Sequence, residues 1–180
     1  MNHYLALLRG INVGGNNIIK MANLKLCFES LGLNNVQTYI QSGNVIFQSD
    51  DNDIAELTQK IESGLSNLFN YKSKIVLITR NQMEKVVDKA PKGFGEEPEQ
   101  FRYDVLFLKA PLTATEAMNG LSVRDGVDQA YQGDNVIYFS RLISKAGQSY
   151  LNKIIKLGIY KSMTVRNWNT TTKLYSMMKL

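Results

Sequence analysis

Two nine-residue stretches far apart in the chain read almost alike: Tyr39-Ile-Gln-Ser-Gly-Asn-Val-Ile-Phe47 and Ala130-Tyr-Gln-Gly-Asp-Asn-Val-Ile-Tyr138. Each sets a polar turn rich in glycine or asparagine between β-branched and aromatic residues, the pattern of a β-hairpin. The likeness extends further, because Thr79-Arg80-Asn81 and Val165-Arg166-Asn167 each end an apolar run and open a helix. Around these landmarks each half runs strand, helix, hairpin, helix, strand and a short trailing helix. A chain that repeats a βαββαβ unit is tied to an α+β fold. The expectation is two ferredoxin-like halves with mostly antiparallel sheets and helices packed on one face. The composition shifts set the first half at 1–90, a Gly/Pro/Glu-rich linker at 91–102 and the second half with its trailing helix at 103–180.

Local patterns fill in the elements. Tyr4 to Leu8 is apolar at every position, which predicts a central strand covered on both faces. Leu24, Cys27, Phe28 and Leu31 recur at helical spacing, and Gly32-Leu33 reads as a Schellman ending. Asp50 to Asp53 caps a helix that buries Ile54, Leu57, Ile61, Leu65 and Leu68. Asn81 with Glu84 resembles a capping box. In the second half a helix is expected over Ser149 to Leu157 and another from Asn167, with Asn167 as its N-cap.

Between the first strand and the first helix lies Arg9-Gly10-Ile11-Asn12-Val13-Gly14-Gly15-Asn16-Asn17, running on to Lys20. Small residues let backbone N–H groups converge, a helix start adds partial positive charge, and Arg9 and Lys20 add full charges. That combination suits an anion. It is not a P-loop, since Gly15 is followed by Asn16-Asn17 and not by lysine and serine or threonine, and no GxGxxG occurs. The Gln41-Ser42-Gly43-Asn44 turn and the stretch Arg166-Asn167-Trp168-Asn169-Thr170 add amides, hydroxyls and a second arginine. These three segments form the expected ligand-binding set: Arg9, Gly10, Asn12, Gly14, Gly15, Lys20, Gln41, Ser42, Asn44, Arg166, Asn167, Trp168 and Thr170. Each also has a purely structural reading, as turn, cap or core residue.

Much chemistry is excluded. One histidine, His3, and one cysteine, Cys27, leave no Cys/His metal cluster and no triad away from the terminus. His3 reads as a surface residue at a frayed end, and Cys27 as a small core residue. Asp50, Asp51 and Asp53 lack the glycine and distal glutamate of a calcium loop, so no metal site is expected. No cofactor or catalytic residue is identified.

The formal net charge is +5, and eight of the basic residues follow Asp134, after which no acidic residue occurs. Such asymmetry favours an anionic partner or a solvated lysine surface. No apolar run approaches the roughly 20 residues that span a bilayer. No secretory leader is expected either, and a lone cysteine suits a reducing compartment, so no membrane and a cytoplasmic location are expected.

YLALLRGINVGG (residues 4–15), Lys20-Met21, Thr38 to Val45 and Thr164-Val-Arg-Asn-Trp-Asn-Thr170 together resemble the signatures of the bacterial domain of unknown function 1697. The resemblance runs over essentially the whole chain and implies two ferredoxin-like halves. It implies no activity. Three functions follow, in this order: a site for a small phosphate- or carboxylate-bearing ligand, an RNA-binding module lacking an RNP1 pattern, and a non-enzymatic scaffold or homodimer.

Overall fold

The apolar run at the start of the chain forms β1 (Asn2–Leu8), and Tyr4 to Leu8 are all buried. After it come α1 (Met21–Ser30), β2 (Asn34–Tyr39), β3 (Asn44–Ser49), α2 (Ile54–Phe69), β4 (Ile75–Thr79) and α3 (Arg80–Asp88). The second series is β5 (Phe101–Leu108), α4 (Ala114–Gly120), β6 (Asp128–Gln132), β7 (Val136–Leu142), α5 (Leu151–Ile154), β8 (Met163–Asn167) and α6 (Trp168–Met178). The computed structural model describes residues 1–179. They group into two units, one of Met1–Met83 with the C-terminal residues from Leu174, the other of Glu84–Lys173.

Each unit holds a four-stranded sheet, ordered β2-β3-β1-β4 in the first and β6-β7-β5-β8 in the second. All pairings are antiparallel. The two orders correspond strand for strand, as a duplicated ferredoxin-like arrangement requires. In the first unit Tyr4, Ala6, Leu8, Val45 and Phe47 pack with Leu24, Phe28, Leu57, Ile61 and Leu65 from the helices. Phe47 carries the aromatic centre, with Tyr4 stacked at 5.6 Å and Phe28 edge-on at 5.5 Å. In the second unit Leu106, Leu108, Ile137 and Phe139 meet Ala114, Ala117 and Ile154.

The helix ends follow the local chemistry. At the end of α1, Leu33 donates to the Phe28 carbonyl at 3.3 Å and Gly32 to the Glu29 carbonyl at 3.0 Å, with Gly32 at φ +77°. That is the Schellman closure. Asp53 caps α2, its Oδ1 accepting from Ala55 at 2.9 Å and Glu56 at 3.0 Å.

Three expectations are corrected. The capping box at α3 uses Thr79 and Gln82 instead of Asn81 and Glu84: Gln82 N donates to Thr79 Oγ1 at 3.2 Å and Thr79 N to Gln82 Oε1 at 2.9 Å. The helix starts one residue after the strand ends, so the cap falls earlier than the sequence break suggested. His3 is not frayed, because it lies within β1, with Nδ1 3.1 Å from the Met178 carbonyl. The helix expected over Ser149 to Leu157 shrinks to the single turn of α5, flanked by 3₁₀ segments Ile143–Gln148 and Gly158–Ser162. Gly147 and Gly158 bracket it, and glycine weakens a helix by about 1 kcal/mol relative to alanine. Asp128 pins its start, Oδ2 accepting from Tyr150 N at 2.8 Å.

Candidate functional site

The loop after β1 is a built structure. Arg9 N donates to the Lys74 carbonyl at 3.0 Å, and Leu8 N to the Gly43 carbonyl at 2.8 Å, which fixes the loop's entry against β4's approach and the β2–β3 turn. Gly14 and Gly15 have φ of +58° and +78°, and Asn16 N donates to the Val13 carbonyl at 3.0 Å. Two consecutive left-handed residues closed this way make a tight hairpin turn, the reason both positions are glycine. Ile11 and Ile19 are buried and anchor the two ends, while residues 13–18 are exposed.

Asn12 braces the whole. Its Oδ1 accepts from Ile19 N at 2.8 Å, and its Nδ2 donates to the Ile19 carbonyl at 3.0 Å and the Gln41 carbonyl at 2.8 Å. Asn17 Nδ2 donates to the Gly10 carbonyl at 2.8 Å. The loop and the Gln41–Asn44 turn are therefore joined through one amide side chain. In the turn, buried Asn44 donates from Nδ2 to the Tyr39 carbonyl at 2.8 Å and to Ser42 Oγ at 3.1 Å.

The loop delivers Lys20 as the N-cap of α1 with no side-chain hydrogen bond capping the helix and no acidic residue in its first turn. By contrast, α2 is capped by Asp53 and followed by Glu56, and α4 carries a full Thr113–Glu116 capping box. Lys20 and Gly10 are exposed, and Arg9 is half-buried.

Arg166, Asn167, Trp168 and Thr170 belong to the second unit. Arg166 is buried in β8, where desolvation pulls its guanidinium down to about 10, and Nη1 donates to the Val165 carbonyl at 2.9 Å. Asn167 is the N-cap of α6, its Oδ1 accepting from Thr170 N at 2.8 Å. Trp168 packs edge-to-face on Phe94 at 5.2 Å, and a Cβ at Gly95 would collide with its indole. Sequence reasoning missed Gly95 and Phe94 as the seat of Trp168, and missed Asn17 as a brace. The doubled asparagine at residues 16–17 was the available signal for the latter.

Cys27 is buried, and desolvation raises its thiol, so it is no nucleophile at neutral pH. Among the described residues no group of three His, Cys, Asp or Glu is placed to hold a metal ion. Nor is any described helix long and apolar enough to cross a membrane.

One loosely paired ionisable pair lies on the helix side of the second sheet. Asp104 is buried with Oδ2 3.9 Å from Arg141 Nη2, too far for a hydrogen bond, and that oxygen has no hydrogen-bond partner. Desolvation raises its carboxyl, with Arg141 and Arg102 pulling the other way. The folded protein thus holds this proton more tightly than the unfolded chain, so stability falls as pH rises from the usual carboxylate range through the folded pKa. Asp104→Asn is expected to be more stable than wild type near neutrality, with the gap closing on acidification to about pH 4, near the ordinary carboxylate range. Denaturant melts at the two pH values test it; a gap that widens on acidification contradicts it.

The family model described as "Protein of unknown function (DUF1697)" matches residues 1–138. The chain belongs to that family. The DUF1697 match contains the glycine loop and the Gln41–Asn44 turn, while Thr164 to Thr170 lies beyond it. Among solved structures, a conserved bacterial protein, SP0830 of Streptococcus pneumoniae, is similar with a TM-score of 0.88 and 28% identity, covering 100% of this chain and 99% of that one. No curated protein matches.

Proposed function

We propose that this DUF1697 protein binds a small anionic ligand, phosphate- or carboxylate-bearing, at the loop of residues 9–20. The observation that carries this reading is the start of α1. It has no side-chain cap and no acidic residue in its first turn, it stands beside Lys20, and it is reached by a loop whose shape is fixed by Asn12. A helix start offers unsatisfied N–H donors and partial positive charge, and an anion satisfies both. In this reading Lys20 and Arg9 supply charge, Gly10, Gly14 and Gly15 allow close backbone approach, and Gln41 and Ser42 form the rim. Asn12 and Asn44 hold the frame. The groups present are suited to bind and orient an anion.

Thermal melts with inorganic phosphate, pyrophosphate, AMP and citrate test it. A ligand at a hundredfold excess over its Kd stabilises the native state by about 2.7 kcal/mol. At least one of these anions is expected to raise Tm, and Lys20→Ala is expected to abolish the rise while leaving the unliganded stability within the ~0.5 kcal/mol typical of surface changes. A rise that survives Lys20→Ala, or no rise with any of the four, ends this reading.

A further inference from the structure

The face of the second sheet opposite the side that packs on α4 and α5 carries a pocket of about 190 Å³. Strand alternation places Tyr103 of β5, Tyr131 of β6 and Ser140 of β7 on this face. A strap of turns from Pro91 to Glu97 forms the opposite wall. The strap is fixed. Phe94 packs edge-to-face on Tyr103 at 4.9 Å, on Tyr138 at 5.4 Å and on Trp168 at 5.2 Å. Glu97 N donates to the Tyr103 hydroxyl at 3.3 Å. The cavity is thus preformed, which lowers the ordering cost of filling it.

Its chemistry is specific. Tyr131, 43% exposed, lies on the edge strand β6, and its hydroxyl donates to Gln129 Oε1 at 3.1 Å. That bond orients the Gln129 amide and leaves its N–H donors for a ligand. Ser140, 3% exposed, brings a hydroxyl to the floor, and the Glu97 carboxylate stands at the rim as an acceptor. Aromatic walls with an amide, a hydroxyl and a carboxylate match a flat ring that carries hydrogen-bonding edges. The volume is below the roughly 300–1,000 Å³ of pockets for drug-sized ligands, so it admits one ring system and leaves any attached sugar or phosphate outside.

We propose that this pocket binds a nucleobase-type nitrogen heterocycle, stacked against Tyr131 and Tyr103 and read at its edge by Gln129, Ser140 and Glu97. The ring can belong to a free nucleoside or to a base splayed out of a single strand, since both present the same face and edge.

Saturation-transfer NMR and titration with adenosine, guanosine, cytidine and uridine at millimolar concentration, and with a mixed-sequence single-stranded RNA octamer, test this. Stacking of one base on an aromatic side chain contributes enough that Tyr131→Ala is expected to weaken binding about tenfold or more. Tyr131→Phe, which keeps the ring, is expected to retain most of it. Nucleoside binding with this pattern assigns a free ligand. Octamer binding with this pattern, without nucleoside binding, assigns a nucleic acid strand as the source. Absence of binding by either, or binding indifferent to Tyr131→Ala, overturns the proposal.

Discussion

Gly43→Ala is expected to cost about 2–5 kcal/mol. Gly43 has φ +79°, which an L side chain adopts at a cost of about 1–2 kcal/mol. Its Cβ would lie 2.6 Å from Ile11 Cδ1 and 2.8 Å from Leu8 Cβ. Leu8 Cβ is rooted in β1, and Leu8 and Ile11 are both buried, so neither yields easily and overpacking adds about 1–3 kcal/mol. Backing away is also blocked, because the Gly43 carbonyl accepts from Leu8 N at 2.8 Å. For a chain of this size each kcal/mol lowers Tm by about 2–4 °C. Gly10→Ala is the matched control: its φ is +70°, but nothing lies within 4 Å of the added carbon, so it bears the conformational cost alone. If the two variants melt together, the close approach of turn and loop contributes nothing.

Asn12→Ala follows at about 2–4 kcal/mol. It removes three hydrogen bonds at once, one of them from the N–H of buried Ile19, and an unsatisfied buried group costs about 1–3 kcal/mol. Asn12 also sits at φ +53°, a conformation that asparagine tolerates better than alanine. Asn12→Gly relieves the second effect only and is expected to fall between the two. Asn12→Asp keeps the acceptor for Ile19 N but turns a carboxylate oxygen toward the Ile19 and Gln41 carbonyls. It is expected to be at least as destabilising as alanine, an outcome that a side chain serving only a bound anion does not predict. Chemical denaturation of the four proteins ranks them; an Asn12→Ala protein as stable as wild type removes the bracing role.

The parts of this architecture that were legible in the sequence are those where one residue type satisfies one local need. Gly32 with Leu33, Asp53 ahead of an apolar stripe, and the repeated Asn-Val-Ile of the two hairpins each report a backbone conformation or a period directly. The glycine loop was only half legible. Gly14-Gly15 announced left-handed backbone, but the sequence could not say that Asn12 reaches residues 19 and 41, because that depends on a contact across the β2–β3 turn. The α3 cap slipped because Thr79, Asn81, Gln82 and Glu84 are all competent cappers, and sheet pairing of Thr79 with Tyr4 decided among them. The aromatics on the face away from α4 and α5 were visible in principle, since Phe101 and Tyr103 alternate with Arg102 and Asp104.

The first unit is not contiguous in the chain: residues from Leu174 return to it, with Leu174 and Met178 fully buried and the Met178 carbonyl beside the His3 ring. Synthesis therefore cannot finish the units in the order in which they are encoded. Glu84–Lys173 emerges as one uninterrupted segment, while the earlier-translated unit lacks its last buried residues until the end of α6 has been made. For a nascent chain, the half that begins first is completed last.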